Sequence, residues 1–276
     1  MKLTAPKFRK GLNYITKMDD WDWDDPKNMK MNFSILILEK DESFTMDNEL
    51  EKAVLLMRGD VTLKWENEQE KIQRNSIFDD DPTALLVPRG TKVEIKENGK
   101  GMAELCLLET KGDNDFKSRF FPADECTTEQ FGKGTLRETS TRDVRTIFDK
   151  NIMPESNLVL GEVINYPGKW SSYPPHGHAQ PEIYHYRFLP AQGFGFGMDG
   201  YDEVKILRHG DSLGIIDGAP HSQTAAPGYA MYYIWAIRHL KDNPYGPEDP
   251  RKFVPAHTWV MDPENNAKIW PPEKIE

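Results

Sequence analysis

Cysteine is nearly missing from this chain: Cys106 and Cys126 stand alone among 276 residues. Two thiols make no disulfide framework, so the fold must be held by its core, and both are expected to stay reduced. Long apolar runs are missing too. No stretch approaches the roughly 18 residues a membrane-crossing helix requires, and the opening Met1-Lys2-Leu3-Thr4-Ala5-Pro6-Lys7 lacks the apolar segment of a secretion signal. A protein working in the cytoplasm, with no membrane partner, is expected. Positive charge is the minority: 35 Lys and Arg against 45 Asp and Glu leave a net charge of −10. That balance excludes a broad basic footprint for nucleic acid or an anionic membrane. It does not exclude a small anionic substrate, because one local arginine can outweigh the global field.

Helix-period stretches are also scarce. What the chain has instead is a series of short β-prone runs punctuated by turn residues every 8 to 12 positions, the pattern of an antiparallel sandwich or barrel. Phe33-Ser34-Ile35-Leu36-Ile37-Leu38, Ala53-Val54-Leu55-Leu56-Met57, Val61-Thr62-Leu63-Lys64-Trp65, Ala84-Leu85-Leu86-Val87 and Ala103-Glu104-Leu105-Cys106-Leu107-Leu108 read as strands of a first half. Arg58-Gly59-Asp60 reads as a turn between two of them, and Asp79-Asp80-Asp81 as a solvated loop. Thr127-Thr128-Glu129-Gln130 has the hydroxyl-then-acid spacing of a helix start. Residues 139–150 suit a short helix or an edge strand.

The second half repeats the theme, with strands expected in 158–166, 182–188, 203–207, 212–216 and 230–237. Val87-Pro88-Arg89-Gly90-Thr91-Lys92-Val93 rhymes with Ile216-Asp217-Gly218-Ala219-Pro220-His221, so that Val93 stands where the second half has His221. An all-β fold of two similar barrels, one with ligands and one without, accounts for the length. The division is placed at 1–135 and 136–276.

Three histidines and a carboxylate carry the chemistry. Residues two apart on a strand face the same side, so His176 and His178 can both point inward. Glu182 lies beyond Ala179-Gln180-Pro181, which can turn the chain back into the sheet, and His221 follows a Gly-Ala-Pro turn on a later strand. Imidazoles with one carboxylate suit a single divalent ion: Mn, Zn, Fe or Ni. The same alternation puts Tyr184 and Tyr186 on the Glu182 face and sends His185 and Arg187 to the other. Glu182 and Tyr184 are the candidate catalytic residues, and Lys169, Arg187, Gln192 and Tyr233 the candidate substrate contacts.

His176-Gly177-His178-x3-Glu182 and Gly210-x5-Ile216-x-Gly218-x2-His221 match the two motifs of the cupin superfamily. A narrower resemblance covers most of the chain. Trp170-Ser171-Ser172-Tyr173-Pro174-Pro175-His176-Gly177-His178, Glu182-Ile183-Tyr184-His185-Tyr186-Arg187-Phe188, Gln192-Gly193-Phe194-Gly195-Phe196 and Ala225-Ala226-Pro227-Gly228-Tyr229 resemble the 5-deoxy-glucuronate isomerase family. The resemblance implies a bicupin of double-stranded β-helix (jelly-roll) barrels. Its N-terminal cupin would be degenerate, and its C-terminal cupin would hold one metal ion on His176, His178, Glu182 and His221. It further implies an aldose–ketose isomerase that converts 5-deoxy-glucuronate to 5-dehydro-2-deoxy-gluconate in myo-inositol catabolism. The same ligands would also serve an Fe-dependent cupin dioxygenase or oxidoreductase, and a non-catalytic sugar-binding bicupin is the third reading. Strand edges of such barrels pair between subunits, so a homo-oligomer is expected.

Overall fold

The computed structural model describes residues 1–3, 8–246 and 251–271. Among them every regular element is a β-strand or a short 3-10 turn, and every strand pair is antiparallel. A nine-stranded sheet belongs to the first half. The second half builds two sheets. One runs in the order Lys2–Leu3, Ser212–Ile215, Glu182–Leu189, Ala230–Arg238, Leu158–Asn165, Arg142–Phe148, Thr128–Phe131. The other runs Val204–Arg208, Phe194–Met198, His221–Ala225, Trp170–Gly177, Lys252–Phe253. The all-β architecture is as expected.

The apolar strands read as continuous rather than alternating because both of their faces are covered. Leu36, Val54, Leu56, Leu85, Val87, Leu105 and Leu107 fill the first barrel, with Val93, Ile95 and Trp65. Their neighbours on the same strands, among them Phe33, Ile35, Ala53, Leu55, Leu86, Cys106 and Leu108, point the opposite way and meet Phe148, Leu158, Leu160, Ile183, Tyr232, Ile234 and Ala236 of the second half. One strand thus feeds two cores. A third core lies inside the second barrel, where Val163, Tyr186, Phe188, Leu213, Ile215 and Met231 of one sheet pack on Leu207 and Ala225 of the other.

Two local expectations are corrected. Arg58-Gly59-Asp60 does not end a strand: Glu51–Trp65 runs unbroken for 15 residues. It passes from pairing with Ala103–Thr110 and Ala84–Val87 to pairing with Glu68–Arg74 and Val93–Glu97, and a register shift between Leu56 and Arg58 bends it on the way. Gly59 takes φ +118, and a Cβ there would sit 2.7 Å from the Ala103 Cα, so the glycine serves a bend inside a strand. Thr128–Phe131 is a strand on the edge of the seven-stranded sheet, paired with Arg142–Phe148. It has no apolar stripe to bury as a helix, so sheet pairing prevails over the cap-like spacing. Arg142–Phe148 is a strand flanked on both sides.

Candidate metal centre and cavity

Strand pairing assembles the histidines. Trp170–Gly177 and His221–Ala225 are in register at Ser171↔Gln223 and again at His176↔His221, so five steps along one strand match two along the other. The surplus, Ser172 to Pro175, bows out of the sheet, and Ser172 takes φ 53 to do so. That bulge opens the barrel, and Ser172, Tyr173 and Pro174 become cavity wall. Gly177 permits the close approach of the second turn, because a Cβ there would lie 2.1 Å from the Gly218 carbonyl oxygen. Glu182 comes from the facing sheet, between Ile215 and Ile237.

Each of the three rings is held by a backbone carbonyl on its Nδ1: His176 by Pro174 at 3.1 Å, His178 by Gln180 at 3.0 Å, His221 by Ala219 at 3.0 Å. A carbonyl only accepts, so Nδ1 carries a proton and Nε2 is the nitrogen left for a metal ion. Ligand atoms of His178, Glu182 and His221 lie within 4.8 Å of one another, and all three residues are buried. His178 Nε2 stands 2.9 Å from Glu182 Oε2 and His221 Nε2 3.4 Å from the same oxygen. His221 Nε2 is buried and has no hydrogen-bond partner. The His176 ring stands 4.7 Å from the His221 ring, centroid to centroid, on the cavity wall. Burial, and next the neighbouring His221, push the His176 imidazole down to about 3, so at neutral pH it is an uncharged ring. Burial works against the Glu182 charge. Hydrogen bonding and charge from the His178 and His221 rings, which need a proton on Nε2 as well, outweigh it and hold the carboxyl well below its usual range. A buried anion, oriented imidazoles and an orphaned nitrogen make a donor set that fits a divalent cation.

Beside this cluster is a cavity of about 410 Å3. Its floor is aromatic and hydroxylic. The Tyr184 ring meets the Tyr233 ring edge-on at 5.3 Å and lies 5.8 Å from the His221 ring. Tyr233 Oη shares a 2.5 Å hydrogen bond with Ser171 Oγ, and Tyr186 Oη donates to Gln223 Oε1 at 2.5 Å. Burial first, and then the Glu182 charge, raise the Tyr184 phenol well above its ordinary value, so it keeps its proton.

His176, Glu182, Tyr184 and Tyr233 line this cavity; His178 and His221 converge on Glu182. Lys169, Arg187 and Gln192 are not in its wall. Lys169 sits on a turn, where its carbonyl accepts from Asn165 and Thr224. Gln192 is exposed beside Phe194 and His209. Arg187 does leave the Glu182 face, as alternation requires, but that side is not solvent. It is buried against the first half, paired with Glu104 and bonded to His185. His185 itself packs on Phe33 at 5.8 Å and bonds Ser212 Oγ at 2.8 Å.

Several lining residues escaped the sequence reading. Phe131 comes from the edge strand and Arg142 from the strand beside it, and Arg251, Phe253 and Met261 come from the C-terminal segment. That segment is anchored by Phe253, which pairs with His176, and by Val254 N–H donating to the Pro175 carbonyl at 2.9 Å. No local motif marks any of them; they meet only through the sheet order.

Known proteins share this fold. An IolB-like protein from Salmonella typhimurium superposes with a TM-score of 0.78 at 22% identity, over 95% of this chain and 99% of that one. The oxalate decarboxylase of Lactobacillus farciminis superposes at 0.65 and 10% identity, over 99% and 94%. These likenesses show the fold, a pair of cupin barrels. Among curated sequences, a 5-deoxy-glucuronate isomerase of Geobacillus kaustophilus is 26% identical over 258 residues, 86% of this chain and 88% of the relative. The match that decides the matter runs along nearly the whole molecule: a family model fits residues 3–260, and by it this chain belongs to the KduI/IolB family.

Proposed function

We propose that the chain is a metal-dependent aldose–ketose isomerase acting on a deoxy-uronic acid, with 5-deoxy-glucuronate as substrate and 5-dehydro-2-deoxy-gluconate as product. One observation supports it above the others: His178 and His221, each locked through Nδ1, turn Nε2 toward a buried, ionised Glu182, with His176 beside His221 on the wall of a sugar-sized cavity. The naming of the curated relatives points to the same substrate.

His176, His178, Glu182 and His221 would hold one divalent ion. When bound it supplies a Lewis acid toward the carbonyl and the neighbouring hydroxyl of the open-chain sugar. The remaining work falls to side chains. Isomerisation moves one proton from C2 to C1 and another from O2 to O1. Glu182 Oε2 faces both His178 and His221, which leaves Oε1 as the oxygen assigned to take the C2 proton and return it at C1. Tyr184, still protonated in its buried setting, is the acid: it gives its proton to O1 and is restored from the O2 hydroxyl. Proton transfer by positioned groups contributes on the order of a hundred- to ten-thousand-fold each. Tyr233 and Ser171 present paired hydroxyls to the sugar.

The test is elemental analysis of the purified protein, followed by proton NMR of 5-deoxy-glucuronate in D2O. Conversion is expected with no oxygen consumed, stoichiometric metal, and deuterium entering C1 to the extent that the proton held on Glu182 exchanges with solvent before its return. Oxygen uptake coupled to substrate loss would establish the iron oxygenase instead. A metal-free protein that turns over no 4-deoxy or 5-deoxy uronate would leave only a sugar-binding role.

A further inference from the structure

Among the described residues four arginines are buried, and each has a carboxylate: Arg74 with Glu162 at 2.7 Å, Arg145 with Glu162 at 3.7 Å, Arg238 with Asp113 at 3.3 Å, and Arg187 with Glu104. The pattern follows from the cost of an unpaired buried charge. Arg142 departs from it. It is half-buried in the cavity wall, its Nη1 donates to the Ser140 carbonyl at 2.9 Å, and its guanidinium packs 5.6 Å from the Phe131 ring centre. Among the described residues no carboxylate lies within ion-pair reach of it. The one acid lining the cavity is Glu182, already engaged by His178 and His221. A second guanidinium, Arg251, lines the same cavity over the Phe253 ring. Its like charge works with burial, the larger effect, to lower the Arg142 pKa, although the nearby Tyr233 phenol opposes this. Arg142, with no carboxylate partner among the described residues and a second cation beside it in the same cavity, calls for an anion from outside.

We propose that Arg142, assisted by Arg251, binds the carboxylate of the substrate and so sets which end of the open chain meets the histidine cluster. This rests on the reading that the cavity takes a sugar acid. With Nη1 engaged, Nε and Nη2 form the free edge of the guanidinium fork, which matches the two oxygens of a carboxylate in one plane. Lysine would offer only a point charge. The anion clamp therefore sits on the strand Arg142–Phe148 and not on Arg187, which the other barrel has claimed.

Calorimetry on the metal-loaded protein tests this with three probes: D-glucuronate, D-glucose and D-glucose 6-phosphate. The wild type should prefer glucuronate over glucose by about 10- to 100-fold, the worth of a charge-assisted hydrogen-bonded pair. Arg142→Gln should lower glucuronate affinity to the glucose level and leave glucose binding unchanged, while Arg142→Lys should recover part of the difference. With a turned-over uronate, Arg142→Gln should raise KM more than it lowers kcat. Should Arg142→Gln not fold, Arg251→Gln should show the same selectivity loss on a smaller scale. Wild-type glucuronate affinity in Arg142→Gln overturns the clamp, as does equal loss of glucose binding, which marks a merely structural role. Tighter binding of glucose 6-phosphate than of glucuronate assigns a phosphate site and overturns the carboxylate. If glucuronate selectivity depends on Arg142 but no uronate is isomerised, the clamp stands and the isomerase reading falls. Turnover with an unaltered KM in Arg142→Gln gives the converse.

Discussion

The two halves are joined by a buried charge pair whose removal should be costly. Arg74 of the first half and Glu162 of the second are 2% and 0% exposed. The guanidinium grips the carboxylate through both arms, Nη1 to Oε1 at 2.7 Å and Nη2 to Oε2 at 2.8 Å, and also donates to the Leu56 and Asp80 carbonyls. Tyr232 Oη donates to Oε1, and Arg145 stands 3.7 Å from Oε2. Burial opposes the Arg74 charge, but Glu162 outweighs it and raises the guanidinium above its ordinary value. Glu162→Gln keeps the shape, removes the charge from between two arginines and turns an amide donor toward donors. Breaking such a pair from one side costs about 3–5 kcal/mol, and the second arginine puts the expectation at the upper end. For a chain of this size that is roughly 6–15 °C in Tm. Replacing both partners by apolar side chains, Arg74→Met with Glu162→Leu, should cost about 1–2 kcal/mol, since Arg74 leaves no stranded charge and Arg145 keeps Asp81 at 3.4 Å. Urea unfolding followed by tryptophan fluorescence at pH 7, run as a double-mutant cycle, measures the difference. A Glu162→Gln cost below about 1 kcal/mol, or single-variant costs that simply add, would refute the account of the interface as charge-locked.

Three further outcomes follow from the same contacts. Glu51 accepts from Ser156 Oγ at 2.6 Å and from Asn157 N–H, yet burial pushes its carboxyl up to about 7. Between the unfolded value near 4.5 and 7 the folded chain keeps a proton the unfolded chain has released, so this group's contribution to stability falls as pH rises through that window. Glu51→Gln should therefore gain about 3 kcal/mol on the wild type between pH 4.5 and pH 8 in denaturant melts, and parallel pH profiles would count against it. His221→Ala should weaken metal retention by more than the roughly 10- to 100-fold typical of a residue beyond the ligand shell; unchanged metal content by mass spectrometry would remove His221 from the ligand set. Tyr184→Phe should keep its metal and lose on the order of a hundred- to ten-thousand-fold in kcat, and a loss under about threefold would take the phenol out of the proton path.

The convergence of His178, Glu182 and His221 was legible because its determinants are local. Two positions separate His176 from His178, and the Gly218-Ala219-Pro220 turn delivers His221 opposite His176. The alternation that placed Glu182 and Tyr184 inward and His185 outward was equally local. What alternation cannot supply is the occupant of the far side. Arg187 is directed away from Glu182, but only the docking of the two halves decides that it meets Glu104 and not a substrate. Arg142, Arg251 and Phe253 were illegible for the opposite reason: they are brought to one cavity by sheet order, across more than a hundred residues of chain, with no spacing to betray them. Arg58-Gly59-Asp60 misled because a glycine at positive φ serves a turn and a bent strand equally well.

The interiors of the two barrels explain why the machinery sits in only one. Leu, Val and Ile side chains with Trp65 close the first barrel, and among the described residues no cluster of His, Cys, Asp and Glu that could hold a metal lies there. The second barrel buries Ser171, His176, His178, Glu182, His221, Gln223 and the phenols of Tyr184, Tyr186 and Tyr233, several with their polar groups turned to a cavity. Each buried polar group forgoes apolar burial of about 1.5–3 kcal/mol per side chain that an aliphatic residue would have contributed. A barrel hollowed in this way is poorly placed to hold itself together. The shared core compensates: Phe33, Ile35, Leu55, Leu86 and Leu108 of the first half cover Ile183, Tyr232, Ile234 and Ala236 on the strands whose other faces carry Glu182, Tyr184 and Tyr233. The ligand-free barrel is thus the rigid backing of the strands that present the site. Truncating Leu55, remote from the cavity, to alanine should then loosen the second barrel as well as the first. Hydrogen exchange of the Glu182–Leu189 amides reads that coupling, and unchanged protection there would dissolve it.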